Sequence, residues 1–134
     1  VQIVAADNTA GHGDDTGRYD GTAPVNTAFL DRFDEIIPMD YMTENDEQNA
    51  LVVSTGCKAT TAIELVYFAN AVRRSDEIDQ PVSFRRLKAM AKMLSNGHGL
   101  TRTLDIALMS HIRNDTDREA IAGIAKTTIT EALL

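Results

Sequence analysis

Residues 61–74, "TAIELVYFANAVRR", contain the clearest periodic pattern in the chain. Their apolar residues recur at intervals of three and four residues: Ala62, Leu65, Val66, Ala69 and Val72. This spacing is typical of an amphipathic α-helix that buries one face. Thr61 followed by Glu64 has the form of a capping box inside the run. The stretch therefore predicts a helix in the core of an α-helical domain.

Helical patterns also lie on both sides of this stretch. Four further helices are predicted, and they are bounded by Thr43 and Gly56, Ser83 and Gly97, Leu100 and Ile112, and Thr116 and about residue 133. Asn96 and Gly97 supply a helix stop, and Thr116 with Glu119 forms a second candidate capping box. No strand pattern occurs after Thr43, so residues 43–134 predict a helical bundle.

The N-terminal segment has a different pattern. The run "VQIVAAD" at residues 1–7 is rich in β-branched residues and is typical of a strand buried on both faces of a parallel sheet. A second candidate strand, "EIIPMDY" at residues 35–41, contains Pro38, which restricts it to an edge or a strand end. Between the two, Asn26 can cap a short helix within "TAFLDRF".

These patterns divide the chain at residue 42. Residues 1–42 are predicted to be the end of a parallel-sheet α/β domain and residues 43–134 a helical domain, so the predicted fold class is α/β plus all-α. A sheet of two strands is marginal by itself. We therefore expect the chain to be the C-terminal part of a larger α/β protein.

Composition excludes several classes of protein. Of the 134 residues, 43% are hydrophobic and 25% are charged, as in ordinary globular domains. The net charge of −7 argues against broad binding to a nucleic-acid backbone. No apolar run approaches the ~18 residues that a membrane span needs. Cys57 is the single cysteine, which excludes an intramolecular disulfide and favours a reducing, cytoplasmic location.

Residues 7–26 form a polar stretch rich in Gly, Asp and Thr. Its residues His12, Asp14 and Asp15 are of types that bind divalent metal ions. They lie within four residues, however, with no second cluster nearby, and the EF-hand spacing is not met. A solvated turn region explains the same composition, because Gly adopts positive φ and Asp bonds to its own backbone. No metal site is predicted.

Two polar residues, one at the start of this stretch and one past its end, are candidates for a functional role. Asn8 follows the first predicted strand, at the sheet edge where α/β proteins bind ligands, although a turn-starting Asn is the common alternative. Arg32 lies in "FLDRFDE" among acidic neighbours. It is either a solvated surface arginine or an arginine finger that reaches a phosphate on a neighbouring subunit. The residues alone favour the surface role.

Arg85 and Arg86 fall in the first turn of the helix that Ser83 begins. Cations are unfavourable there, because the helix dipole places partial positive charge at the N-terminus. The pair makes sense if an anion binds at this position. The alternative is that both arginines are exposed to solvent and that acidic residues at 76–79 neutralise their charge.

Together these features resemble the second half of an AAA+ ATPase of the MoxR and chelatase branch. They are most similar to the CobS-type ATPase subunit of aerobic cobaltochelatase. The resemblance is carried by "AADNTAGHGDDTGRYDGTAPVNTAFLDRF" at residues 5–33. It is carried more weakly by "SFRRLKAMAKML" at 83–94 and "GLTRTLDIALMSHIRNDTDREAI" at 99–121.

The resemblance implies a role for each candidate residue. Asn8 would be sensor 1, which places the attacking water, Arg32 the arginine finger, and Arg85 the sensor 2 residue that contacts phosphates from the lid. Because the family's Ser-Pro-Arg is Ser83-Phe84-Arg85 here, Arg86 is a competing sensor 2 candidate. ATP and Mg²⁺ are the implied cofactors, held mainly by residues upstream. No Gly-Lys-Ser/Thr occurs, so this chain alone is expected to be inactive.

The implied function is that of a hexameric, ring-forming ATPase which remodels a client or partner protein, with cobalt insertion as the closest family role. Two alternatives stay open: a MoxR-type chaperone ATPase and a non-enzymatic helical assembly module. Under the ATPase interpretation, Arg18 and Tyr19 are the expected contacts with a neighbour or client. Neither a membrane nor a nucleic acid is an expected partner.

Overall fold

The computed structural model describes residues 4–6, 24–80 and 82–130. The chain divides into two units, Val1–Tyr41 and Met42–Leu134. The helices of the described residues are α1 (Thr27–Leu30), α2 (Glu44–Thr55), α3 (Ala59–Arg73), α4 (Phe84–Ser95), α5 (Leu100–Ala107) and α6 (Asp115–Thr128), with a 3₁₀ turn at Met109–His111. None of them has the length and hydrophobicity that crossing a bilayer requires.

In the first unit, the predicted cap of the short helix is confirmed. The side-chain oxygen of Asn26 accepts a hydrogen bond from the backbone N–H of Ala28 at 2.9 Å. The rings of Phe29 and Phe33 then pack edge to face, with their centroids 5.3 Å apart. This contact links α1 to the turn that follows it.

The strand predicted over residues 35–41 is not formed, and no described residue lies in a β-strand. Ile36, Ile37 and Met39 are 58%, 66% and 90% exposed. A strand needs a neighbour that pairs with its N–H and C=O groups, and the described residues supply none. Residues 4–6, the described part of the other predicted strand, are also irregular. The described structure therefore shows the all-α part of the predicted fold class.

The second unit is a helical bundle built around α3. This helix contacts α2, α4 and α6, while α5 packs on α4 and α2 also touches α4. The predicted buried face of α3 is confirmed, because Ala62, Leu65, Val66, Ala69 and Val72 are at most 1% exposed. The core is completed by apolar side chains from every helix of the unit, among them Leu51, Phe68, Leu87, Met90, Ala107 and Ile121.

The helix ends agree with prediction where glycine is involved. Gly56 follows α2 with φ +70°, and Gly97 lies just beyond α4 with φ +81°. Both values are in the left-handed region, which glycine adopts without steric strain. Thr43 also caps α2 as predicted, since its hydroxyl accepts a hydrogen bond from the backbone N–H of Asp46.

Both predicted capping boxes are wrong. Helix α3 begins two residues earlier than Thr61, at Ala59, so Thr61 is a buried residue within the helix. Helix α6 begins at Asp115, and its N-cap is Asn114, whose side chain accepts from the N–H of Thr116. The Ser/Thr-x-x-Glu pattern recurs by chance inside helices, where tertiary packing decides the register.

Candidate functional site

The start of α4 carries the first group of candidate residues. Ser83 is the N-cap, as predicted, but its side chain makes no capping hydrogen bond. The N–H groups of Arg86 and Leu87 donate to the carbonyl of Ser83 at 2.9 and 3.1 Å. Within the described residues, the N–H groups of Phe84 and Arg85 have no such partner. The helix therefore begins with free backbone donors and the positive end of its dipole.

The two arginines at this helix start differ in their surroundings. Arg85 is exposed and makes no hydrogen bond or ion pair with any described residue. Arg86 is half-buried, and its Nη1 lies 3.3 Å from Nδ1 of His111 in the 3₁₀ turn. Ser110 Oγ lies 2.8 Å from the same nitrogen. Arg86 is thus held against the bundle, whereas Arg85 is available to a ligand.

The acidic residues at 76–79 do not neutralise this pair. No ion pair joins Asp76, Glu77 or Asp79 to Arg85 or Arg86. The donors at the start of α4, namely one free guanidinium, two backbone N–H groups and the hydroxyl of Ser83, together fit a phosphate group.

Arg32 lies in the other unit, two residues beyond the end of α1. Its side chain is exposed, and no ion pair joins it to Asp31, Asp34 or Glu35. Its backbone N–H donates to the carbonyl of Phe29 at 3.2 Å, so the helical turn fixes the backbone from which the guanidinium projects. Arg32 is therefore presented to solvent on an ordered turn.

The remaining candidates of the N-terminal stretch lie outside the described residues. These are Asn8, the possible metal ligands His12, Asp14 and Asp15, and the possible contacts Arg18 and Tyr19. Across residues 4–6, 24–80 and 82–130, no group of three His, Cys, Asp or Glu side chains is placed to hold a metal ion.

A buried ion pair was not predicted from the sequence. Glu47 of α2 and Arg73 of α3 form two hydrogen bonds of 2.8 Å each, and their side chains are 1% and 8% exposed. Arg73 also donates from Nε to the carbonyl of Val82 at 3.0 Å. The available signal was the position of Glu47, four residues before Leu51 on the apolar face of α2.

Comparison with known proteins identifies the family. The sequence model for the family described as "CbbQ/NirQ/NorQ C-terminal" matches residues 47–128, which run from α2 to the last residue of α6. The chain belongs to the CbbQ/NirQ/NorQ family. This is a family of MoxR-type AAA+ proteins, so the predicted branch is confirmed, and the arginines at the start of α4 lie within its C-terminal region.

One curated relative supports this assignment. The chain is 28% identical over 104 residues, or 78% of its length, to the "Putative chaperone BssE" of Thauera aromatica. The match spans 34% of that relative, so the chain corresponds to about a third of its length. No solved structure matches the chain significantly.

Proposed function

We propose that the full-length protein is an AAA+ ATPase that forms a homo-oligomeric ring and uses ATP hydrolysis to remodel a client protein, as a MoxR-type chaperone. The observation that supports this most directly is Arg85, whose guanidinium has no partner among the described residues and lies at a helix start without a side-chain cap, within the family-matched region. Such a position is electrostatically unfavourable until an anion binds, and the phosphates of a nucleotide are that anion.

Three residues of the chain have proposed roles at the nucleotide. Arg85 contacts the phosphates from its own subunit, and Arg32 reaches them from the neighbouring subunit. Both would stabilise the negative charge that develops as the γ-phosphate leaves. Asn8 orients the attacking water. Mg²⁺ supplies further charge neutralisation, mainly through residues upstream of this chain.

The proposed client is a protein. The name of the relative, a chaperone, favours a remodelling activity. Cobalt insertion, as in the cobaltochelatase ATPase subunit, is the second candidate, and it is supported by the similarity of residues 5–33. Co-purification of a protein client with the full-length protein in the presence of a non-hydrolysable ATP analogue, without any dependence on cobalt, would separate the first candidate from the second.

The test is nucleotide binding and steady-state ATP hydrolysis by the full-length protein. A charge-assisted hydrogen bond is worth about 1.5–3 kcal/mol, so Arg85→Ala is expected to weaken nucleotide affinity about 10- to 100-fold. Arg86→Ala is the matched control, with the same charge change at the next residue. Because Arg86 is held by His111, we expect its loss to weaken affinity less than about threefold.

Arg32→Ala separates binding from catalysis. We expect nucleotide affinity to persist while hydrolysis falls by about 10³-fold, the magnitude typical of arginine fingers. If Arg86→Ala weakened binding more than Arg85→Ala, sensor 2 would be reassigned to Arg86. A ring-forming full-length protein without ATPase activity would instead support the non-enzymatic assembly module.

A further inference from the structure

Charge is distributed very unevenly along the described chain. Residues 24–80 contain 4 Lys and Arg against 11 Asp and Glu, a net charge of −7. Residues 82–130 contain 8 Lys and Arg against 4 Asp and Glu, a net charge of +4. The overall acidity of the protein therefore hides a basic region, which starts at α4. Opposite charge on two parts of one chain allows one copy to attract the next.

The basic region is most concentrated on one face of α4. At 100° per residue, Arg85, Lys88 and Lys92 fall within about 60° of one another around the helix axis. Arg85 and Lys92 are exposed, Lys88 is half-buried, and none forms an ion pair with a described residue. With a rise of 1.5 Å per residue, Lys88 lies about 4.5 Å and Lys92 about 10.5 Å along the axis from Arg85. We name these three residues the α4 stripe.

The acidic residues around Arg32 also lack ion-pair partners in the part of the chain that the structure describes. Asp31, Asp34 and Glu35 are exposed and form no ion pair within the described residues. Carboxylates so close to an arginine finger would repel the phosphates that the finger approaches. Their presence is favourable only if cations face them when the finger is in place.

We infer that the α4 stripe is an interface between copies of this chain, and that Lys88 and Lys92 pair with Asp34 and Glu35 of the neighbouring copy. The inference rests on the proposed function, because Arg32 of one copy and Arg85 of the next then meet at one nucleotide. Asp34 and Glu35 lie two and three residues after Arg32, within about 7–10 Å of chain. Asp34 and Glu35 must therefore approach the neighbouring α4 wherever Arg32 approaches Arg85, and Lys88 and Lys92 follow Arg85 on the same face of that helix. The contact is head to tail, as ring closure requires.

Two charge-reversed forms of the full-length protein test the pairing. The first carries Lys88→Glu and Lys92→Glu, and the second carries Asp34→Lys and Glu35→Lys. In each form alone, positions 88 and 92 of one copy carry the same charge as positions 34 and 35 of the next. We therefore expect the protein concentration at half-assembly to rise about tenfold, as measured by sedimentation velocity with ATP and Mg²⁺. In a mixture of the two forms, a ring in which they alternate places opposite charges at positions 88 and 92 of one subunit and positions 34 and 35 of the next. The mixture is therefore expected to assemble as the unaltered protein does.

Matched controls exclude a general effect of net charge. Arg113→Glu with Lys126→Glu makes the same charge change as the first form on exposed residues away from the stripe. Asp76→Lys with Glu77→Lys does the same for the second form. Both are expected to assemble normally. The defects of the reversed forms should also shrink in about 0.5 M salt, where the Debye length falls to a few ångströms.

The outcomes separate the inference from the proposed function. Failure of the mixture to assemble, or normal assembly of each reversed form alone, would overturn the pairing. Rescue in a single chain that carries all four changes, without rescue in the mixture, would show that the charges pair within one chain and would also overturn it. Rescue in the mixture by a protein without ATPase activity would support the interface and refute the proposed function.

Discussion

The Glu47–Arg73 pair offers the sharpest test of how the helical unit is held together. The Glu47 carboxylate accepts hydrogen bonds from both terminal nitrogens of Arg73 at 2.8 Å, and both side chains are almost fully buried. Arg73 also donates from Nε to the carbonyl of Val82 at 3.0 Å and from Nη1 to Asn70 Oδ1 at 3.1 Å. The guanidinium therefore joins α2, α3 and the segment that leads into α4.

Glu47→Gln keeps the shape of the side chain but removes the charge that compensates Arg73. Leaving one member of a buried pair uncompensated costs about 3–5 kcal/mol. A domain of this size is stable by only about 5–15 kcal/mol, so the variant should lose a large fraction of its stability. Replacing both residues by apolar ones, Glu47→Leu with Arg73→Leu, removes both buried charges. The main remaining loss is that the carbonyl of Val82 no longer has the Arg73 donor, which costs about 1–3 kcal/mol, and Asn70 Oδ1 loses a bond as well.

The expected order is therefore unusual, since the double variant should be more stable than Glu47→Gln. Urea unfolding followed by far-UV circular dichroism measures both, and Glu119→Gln serves as the control because Glu119 is exposed. A loss below about 1 kcal/mol for Glu47→Gln would show that the pair contributes no more than a surface ion pair. A double variant less stable than Glu47→Gln would refute the desolvation argument.

Three further predictions concern local features of the bundle. Thr43→Ala should lower the free energy of unfolding by about 1 kcal/mol, because the Thr43 side chain caps α2. Ser83→Ala should change it by less than about 0.5 kcal/mol, because the Ser83 side chain makes no capping bond, and urea titration compares the two variants. Gly97→Ala should lower the midpoint of thermal unfolding, because φ +81° disfavours a side chain by about 1–2 kcal/mol, and an unchanged midpoint would contradict this. Glu64→Ala should speed amide exchange at the end of α6, since Glu64 accepts bonds of 3.1 and 2.7 Å from Thr130, while exchange in α3 stays unchanged.

The buried face of α3 could be predicted from the sequence because it depends on helix periodicity alone. Five apolar residues at the right spacing have few alternative structures, and all five are buried. The glycine stops were predictable for a similar reason, since positive φ is a local property of the backbone. The ends of α2 and α4 follow from these positions.

The capping boxes and the segment at 35–41 were not predictable in this way. Where α3 begins is set by how its buried face meets α2 and α4, and a Thr-x-x-Glu pattern carries no information about those neighbours. A β-branched run forms a strand only when another strand pairs with it. Over residues 24–80 and 82–130 there is none, so Ile36 and Ile37 are exposed despite their strand propensity.

Which of Arg85 and Arg86 is the better candidate for sensor 2 also depends on tertiary structure. The two residues are adjacent, identical and equally placed relative to the helix dipole, so no local rule separates them. What distinguishes them is a contact with His111, which lies 25 positions after Arg86 in the chain and contacts Arg86 alone of the two. A helix turns by 100° per residue, and this rotation directs one arginine toward the bundle and the other toward solvent.

The stability of the bundle and the placement of Arg85 depend on the same contacts. Arg73 bonds to the carbonyl of Val82, the residue immediately before the N-cap of α4. Because Ser83 makes no cap bond of its own, the start of α4 is held from outside the helix, by a guanidinium that Glu47 fixes in place. A hydroxyl cap would satisfy the first-turn N–H groups internally. Among the described residues, the N–H groups of Phe84 and Arg85 therefore have no acceptor, while the residue before the N-cap is anchored through a buried ion pair.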